Sequence, residues 1–485
     1  MTKRNKKALP RIFSRSALVL VLGGLSACAT TTSILQSQAD FDAELPSAWQ
    51  NATETDASLD TESLSQWWEL FGDPQLESLV EDALANNPDI RSALSAIRMA
   101  RAERGLEQAD LWPSLTASAS ASNAHTKDRV NDSSTDVESY TAGLDASWEI
   151  DLFGKQRQYL NAADAELAAA ADDYRQVQVS LAAEVAATYL SLCSYEAQLE
   201  VVRSSLDTRE VTLQIAQWQE QVGEGDALST QQSIASAEQA RSQIPDLEQS
   251  IAETRNSLAL LTGRTPPSLL DQLELPATFP QAPASIAVGI PAETLRQRPD
   301  VRSAENAILA AQSRLDATEL SRFPSLKLSG SIGVDALSAE DLIDPQRILS
   351  GLVAGLSAPI WNAGSISRTI EIQREALTQS YLDYERSVLA ALSEVENALS
   401  SIKKRNQQLD TLERASEAAQ ESVVLAQMQY EAGEVDALTV LDAQRTELSL
   451  QQSRIATQAQ ALAAHVQLYK SLGGGWSVPT SISQL

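Results

Sequence analysis

Two different periods alternate along this chain, and each of them appears twice. From Leu115 to Ser122, and again from Tyr140 to Leu152, apolar and polar residues take turns, the spacing of a strand with one dry and one wet face. In the second stretch Tyr140, Leu144 and Trp148 share one face, while Asp145, Glu149 and Asp151 share the other. Residues 127–136 between the two stretches are polar and read as a loop. The alternation returns at Leu326, Leu328, Ile332 and Val334, then at Ile348, Leu352, Leu356 and Ile360, with a second loop over 336–347. Four strands are predicted, at about 113–126, 137–152, 324–335 and 348–361, with the ~10-residue length and apolar-out, polar-in alternation of membrane barrels.

Beyond each strand pair the period becomes seven. Leu160, Leu167, Tyr174 and Leu181 are seven apart, and so are Val185, Leu192, Leu199, Leu206 and Leu213. Ile370, Leu377, Tyr384 and Ala391 repeat the spacing, as do Tyr381, Val388, Val395, Ile402 and Leu409. Between Gly154 and Gly223 there is neither Gly nor Pro, so one helix of about 100 Å is predicted. Return helices carry Ile244, Ile251 and Leu258 in one case and Ile455, Leu462 and Tyr469 in the other. The expected long helices are 154–222, 226–262, 364–432 and 436–472, packed in the coiled-coil manner. Gly223 and Gly433 suit helix C-termini, and Asp226 and Asp436 suit the N-caps that follow. Shorter helices are expected over 75–86, opened by Asp73-Pro74, and over 89–110.

The two halves are copies. Pro88-Asp89-Ile90-Arg91-Ser92-Ala93 returns as Pro299-Asp300-Val301-Arg302-Ser303-Ala304, and Trp112-Pro113-Ser114-Leu115 as Phe323-Pro324-Ser325-Leu326. A period of about 211 residues is too long for a solenoid and marks a duplicated half-molecule. The expected organisation is a first repeat over 66–263, a Pro-rich link over 264–290, a second repeat over 291–474 and a tail over 475–485.

The beginning of the chain changes the picture of where it works. Six basic residues and the apolar run Ala17–Leu25 make residues 1–27 a secretory signal, too short to span a bilayer permanently. Leu25-Ser26-Ala27-Cys28 is similar to the bacterial lipoprotein box, with Cys28 as the lipidation site and Ala29 after it favouring outer-membrane delivery. Residues 28–65 then read as an extended tether. Losing six positive charges takes the net charge from −28 to about −34, which makes nucleic acid a poor partner. Cys193 sits in a helical apolar pattern and reads as a buried small hydrophobe. His125 and His465 are isolated, with no ligand spacing, nucleophile triad or phosphate loop near them, so neither metal, cofactor nor catalysis is expected.

Four strands cannot close a barrel, and an open sheet edge cannot sit in lipid, so closure demands oligomerisation. Two chains would give eight strands with a side-chain-filled interior, whereas three would give twelve around a water-filled bore lined by Asp145, Glu149 and Asp151. A trimer would also gather twelve long helices into a tube. It is the economical solution.

Several segments carry a family resemblance. Trp67-Trp68-Glu69-Leu70-Phe71-Gly72-Asp73-Pro74-Gln75-Leu76, Trp148-Glu149-Ile150-Asp151-Leu152-Phe153-Gly154-Lys155 and Leu441-Asp442-Ala443-Gln444-Arg445 resemble the TolC-type outer membrane factors. The lipoprotein box and Tyr469-Lys470-Ser471-Leu472-Gly473-Gly474-Gly475-Trp476 narrow this to the NodT/OprM-like efflux lipoproteins. The resemblance implies an α+β membrane protein, a homotrimer whose twelve-stranded barrel, four strands per chain, continues into a periplasmic α-helical barrel. It implies the outer membrane of a Gram-negative bacterium, a periplasmic adaptor, an inner-membrane RND-type pump and passive export. It also implies a periplasmic gate, with Leu438 as an apolar ring, Asp442 as an acidic ring and Arg445 one turn on. The turns at Gly223, Asp226, Gly433 and Asp436 would meet the adaptor. The first turn departs from the pattern, since Ser229 stands where relatives often carry an acid. An exit duct for type I protein secretion is the alternative, and a coiled-coil spacer lipoprotein is a third reading.

Overall fold

The computed structural model describes residues 46–476 except 47, 52–63, 271–272, 274–277, 284–290, 339 and 343–346. The expected signal, Cys28, most of the tether and of the Pro-rich link, and the tail beyond Trp476 lie outside the described residues. A 3₁₀ turn at Trp67–Phe71 leads into α1 (Pro74–Asn86) and α2 (Pro88–Ala109), followed by β1 (Ser114–Asp128), β2 (Ser133–Ile150), α3 (Lys155–Val222) and α4 (Ala227–Leu261). After short α5 (Pro266–Leu270) and α6 (Pro291–Gln297), the series returns as α7 (Pro299–Leu320), β3 (Ser325–Ala336), a 3₁₀ turn at Glu340–Leu342, β4 (Ile348–Ser357), α8 (Ser365–Glu431) and α9 (Ala437–Ser471).

The four described strands form one antiparallel sheet in the order β1-β2-β3-β4. The stretch expected as a loop over 127–136 is mostly strand, because β1 and β2 stay paired as far as Asp128 opposite Ser133. This end of the hairpin is polar on both faces, which erases the alternation by which a half-buried strand is recognised. His125 Nδ1 and Asp136 Oδ1 still pair across it at 2.6 Å. β4 ends at Ser357, short of the expected 361; the next residue but one is Pro359, which has no N–H for a ladder.

The repeat is visible at the joints between elements. Asn87 caps α2 by accepting from the Asp89 N–H at 2.6 Å, and its amide donates to the Leu261 carbonyl at the end of α4 at 2.8 Å. Arg298 stands at the same place in the second copy and donates to the Ser471 carbonyl at the end of α9 at 2.7 Å. It also reaches Glu394 on α8 at 2.8 Å and Asp300 at 2.6 Å. The same orphan carbonyls are satisfied by different chemistry.

α3 is the spine. Toward its C-terminus it packs on α4, tied by Arg203–Glu248 at 2.9 Å and Arg255–Glu196 at 2.6 Å, and on α9. Toward its N-terminus it packs on α2, through Arg104–Asp164 at 2.5 Å, and on α7, through Asn306–Asp172 at 3.0 Å. α8 lies against α7 and α9 on the other side. The core gathers where both repeats meet: Trp67 stacks on Tyr469 of α9 at 5.5 Å, with Phe71 edge-on to both. Leu76 and Val80 of α1, Val185 and Leu192 of α3, Leu258 of α4 and Val395 of α8 close around them. Cys193 is buried in this core, its thiol donating to the Thr278 carbonyl at 3.3 Å and its pKa pushed up to about 12 by burial, as befits a packing residue.

His465 on α9 is buried, and its Nδ1 has no hydrogen-bond partner among the described residues. Burial pushes its pKa down from 6.5 to about 4, so the fold holds the neutral ring. The folded value lies below the unfolded one; the contribution to stability is complete above the unfolded pKa and is lost as pH falls toward the folded one. His465→Gln should therefore show a smaller drop in thermal midpoint between about pH 7 and about pH 4.5 than the natural chain. Scanning fluorimetry in detergent checks this, and equal drops in the two proteins would contradict it.

Candidate functional site

Strand register sorts the sheet into two chemically distinct faces. Asp145 lies opposite Thr116 on β1 and Ser331 on β3, Thr141 lies opposite Ser120 and Asp335, and Glu149 lies opposite Lys327. These residues therefore share one face with Ser118, Ser329 and Gly355. The hydroxyls of Ser120 and Thr141 bond at 2.8 Å, and Ser139 donates to Asp335 at 3.3 Å. The opposite face carries Leu115, Tyr140, Leu144, Trp148, Ile332 and Leu352. Gly143 and Gly333 face each other between β2 and β3, where a Cβ on Gly333 would come within 2.9 Å of the Ala142 carbonyl oxygen. At that one position the two central strands approach closely with no side chain on the polar face.

The expected trio of strand acids is corrected at one position. Asp145 and Glu149 are on the polar face of β2, but Asp151 lies past its end. The Asp151 carboxylate accepts from the backbone N–H groups of Gln156 at 3.3 Å and Arg157 at 3.1 Å, satisfying orphan donors at the start of α3. Alternation carried it by arithmetic into a strand that the helix N-terminus had already ended. Asp335 and Lys327 were missed, although both occupy polar positions of the β3 alternation. Lys327 opposite Glu149 makes that end of the face less acidic than the first hairpin suggests.

The far ends of the helical hairpins form the second candidate region. Gly223 and Gly433 adopt left-handed backbone at φ 79° and 76°, closing α3 and α8. Asp226 accepts from the Ser229 N–H at 2.8 Å, and Asp436 accepts from the Thr439 N–H at 3.0 Å and its hydroxyl at 2.7 Å. Those hydrogen bonds hold the Asp436 carboxyl below its ordinary pKa. Capping accounts for all four residues. Leu438 is half exposed, at 45%, and Asp442 pairs with Arg445 on the same helix at 2.8 Å.

Behind that pair runs a polar seam that the sequence reading did not find. The Tyr430 hydroxyl donates to Gln219 Oε1 at 2.7 Å, and the Gln444 amide donates to Thr212 Oγ1 at 3.0 Å, joining the second hairpin to α3. Arg209 is buried on α3 and donates to the Ser236 carbonyl at 3.0 Å and hydroxyl at 2.8 Å. Burial, with Arg445 nearby, lowers its pKa. The available signal was Gln444 itself, a polar residue between Leu441 and Leu448 in a helix-packing row.

Repeat-related positions on the helices differ in exposure. Ala310 and Ala317 of α7 are buried, at 3% and 0%, yet their counterparts on α2, Met99 and Leu106, are 62% and 69% exposed. Ala162 and Val179 of α3 are buried, whereas their counterparts on α8, Ile372 and Leu389, are exposed. The larger apolar residues are on the uncovered copies.

Known proteins match this chain over both repeats. The model of the outer membrane efflux protein family matches residues 79–264 and again 290–474, once for each repeat. The chain is 33% identical over 465 residues to the pyoverdine export outer membrane protein OpmQ of Pseudomonas aeruginosa, covering 93% of this chain and 95% of the relative. It is 30% identical to the solvent efflux pump outer membrane protein SrpC of Pseudomonas putida, covering 95% and 97%. A solved structure of the outer-membrane channel OprN is similar with a TM-score of 0.81 at 30% identity, covering 89% of this chain and 97% of that one.

The Tyr430–Gln219 bond generates a direct expectation for the hairpin tip. A hydrogen bond of this kind contributes about 1 kcal/mol, so Tyr430→Phe should speed local amide exchange over the last turns of α8 by about fivefold. Exchange in α3 near the Trp67 core should stay unchanged. Hydrogen–deuterium exchange read by mass spectrometry separates the two regions, and no local acceleration would show that this bond does not hold the tip.

Proposed function

The chain belongs to the outer membrane efflux protein family, and on that footing we propose that it works as a homotrimeric exit duct fed by a periplasmic adaptor and an inner-membrane RND-type pump. It is an outer-membrane efflux channel of the α+β fold shared by the trimeric channels of this family, with a large periplasmic part. Members of the family work with adaptor proteins and RND pumps. The family is one of channels rather than enzymes, and the part we assign to this chain is passive conduction.

One observation carries the homotrimeric reading. Met99 and Leu106 on α2, with Ile372 and Leu389 on α8, are exposed apolar residues at positions whose counterparts are buried on α7 and α3, two helices that pack on each other. Exposed apolar rows on opposite flanks of one chain suit a head-to-tail ring, in which α8 of each copy takes the place beside α2 of the next. The sheet has the same two flanks, with β1 and β4 as its outer edges among the described strands. Twelve strands then leave a bore whose wall is the polar face holding Asp145, Glu149, Lys327 and Asp335.

Pyoverdine and solvents, the cargoes in the names of two relatives, come from export systems for small compounds, and type I protein secretion finds no support among them. Cargo choice in this reading rests with the pump. The turns at Gly223, Asp226, Gly433 and Asp436 are the surface offered to the adaptor, Leu438 and Asp442 ring the periplasmic constriction, and Arg445 offsets the Asp442 charge there. Cys28 carries the lipid that holds the chain at the outer membrane.

Single-channel recording in planar bilayers tests the duct. The trimer should conduct with a preference for cations, Leu438→Ala should lengthen openings by relieving an apolar constriction, and Asp442→Ala should weaken the cation preference severalfold. A trimer that stays silent even when both substitutions are combined would sink the channel reading. Anchoring is a separate matter: Cys28→Ser should abolish incorporation of labelled palmitate in cells, and persistent label would move the lipid elsewhere.

A further inference from the structure

The unpaired edges of the sheet can be matched residue by residue, because the repeat relates one strand seam to another. β1 maps onto β3 through Trp112-Pro113-Ser114-Leu115 and Phe323-Pro324-Ser325-Leu326, while β2 maps onto β4 through Gly154 and Gly364, both left-handed. The registers obey this mapping. Leu115 faces Ala146 and its counterpart Leu326 faces Leu356; Ala117 faces Leu144 and its counterpart Leu328 faces Ala354. The remaining internal seam, between β2 and β3, sets Leu144 opposite Ile332 and Ile150 opposite Leu326. Its counterpart joins β4 to the β1 of another copy.

We propose that β4 pairs antiparallel with β1 of a neighbouring copy in one defined register, with Ala354 opposite the partner's Ala121. The proposal rests on the homotrimeric reading above and adds the register to it. Gly355 then faces the partner's Ser120 on the polar side, as Asp145 faces Ser331 within the chain. Carried three residues past the end of β4, the same register sets Ile360 level with the partner's Leu115, as Ile150 is opposite Leu326. In the single chain Ile360 is 96% exposed and Leu115 is 70% exposed, whereas Ile150 and Leu326 are half-buried.

Two physical arguments select this register. A slip of one residue would turn Leu352, Ala354 and Leu356 toward the polar face of the neighbouring strand, which a one-faced sheet does not tolerate. A slip of two preserves the faces but takes Ile360 away from the partner's Leu115 and breaks the equivalence that the other two registers obey. The choice has a functional consequence. Strand number, stagger and tilt are linked in a closed barrel, so the register at this seam fixes the bore.

Paired cysteines test it on the full-length chain. Antiparallel partners alternate between close and wide spacing, so of the neighbouring pairs Ala121→Cys with Ala354→Cys and Ser120→Cys with Gly355→Cys, one is in the close class. Mild oxidation should convert at least one of them into a covalent trimer on non-reducing gels, about tenfold more completely than Ala121→Cys combined with Leu352→Cys or with Leu356→Cys. Cys193 is buried and does not compete. A shifted pair that links better, or two matched pairs that fail to link in protein whose native mass is that of a trimer, overturns the register while the trimer stands. A native mass of one chain overturns the trimeric reading instead.

Discussion

A strand edge placed in hydrocarbon presents a row of N–H and C=O groups with nothing to bond, and each such group costs several kcal/mol. This chain makes a sheet of four strands and leaves β1 and β4 as edges. Its sheet has an apolar face running from Tyr140 to Ile150 on β2, long enough to match the lipid-facing band of a barrel about 25 Å tall. The edge groups and the apolar face make opposite demands unless other copies supply the missing strands. Closure by identical copies meets both demands, and the helices must follow the sheet because β1 continues from α2 and β4 leads into α8.

Duplication makes such closure inexpensive in new surface. A chain whose halves already pack on each other through α3, α7 and α9 contains, in its own interior, the geometry of the contact it needs with a neighbour. The two seams have nevertheless diverged. The internal one is lined by small residues such as Ala310 and Ala317, while the outer flank carries Met99 and Leu106. An internal seam forms within one chain at high effective concentration, whereas a seam between chains must also offset lost translational freedom. Larger apolar side chains on the outer flank supply that difference. Asn87 and Arg298 show the same drift at a joint, one amide against a guanidinium with two carboxylate partners.

Much of this is legible in the sequence alone, and the misses have physical causes. Tyr140 to Ile150 reads as a strand because one face is dry; Ser133 to Ser139 of the same strand does not, because both faces there are wet and only pairing with β1 defines them. Heptads revealed the long helices, and Gly–Asp spacing revealed their turns, since both are local. Asp151 was misplaced because alternation cannot register that φ at Gly154 has turned the chain into a helix. Tyr430 and Gln219, or Gln444 and Thr212, are separated by more than two hundred residues and meet only through packing. No local pattern announces such pairs, though a polar residue in a packing row marks where one partner will be.

Electrostatics then divides the labour between the two ends of the proposed duct. On the sheet, Glu149 faces Lys327, Asp145 has hydroxyl neighbours, and glycines keep side chains out of the centre. A wide, hydroxyl-rich wall of mixed charge screens well and discriminates little. Like charges drawn around a narrow axis repel more strongly as their separation and the local dielectric fall. Three copies of Asp442 would meet that condition at the tip, and Arg445 on each helix reduces the repulsion while the pairs hold. Arg209 beneath them is bonded to a carbonyl and hydroxyls rather than to a carboxylate, so it adds positive potential without occupying Asp442. Each pair lies within one helix, so moving the hairpins apart would leave it intact. In the proposed duct, spreading the three carboxylates would lower the repulsion among them, so a small displacement of the hairpins by an adaptor would change the width of the constriction and weaken its field together.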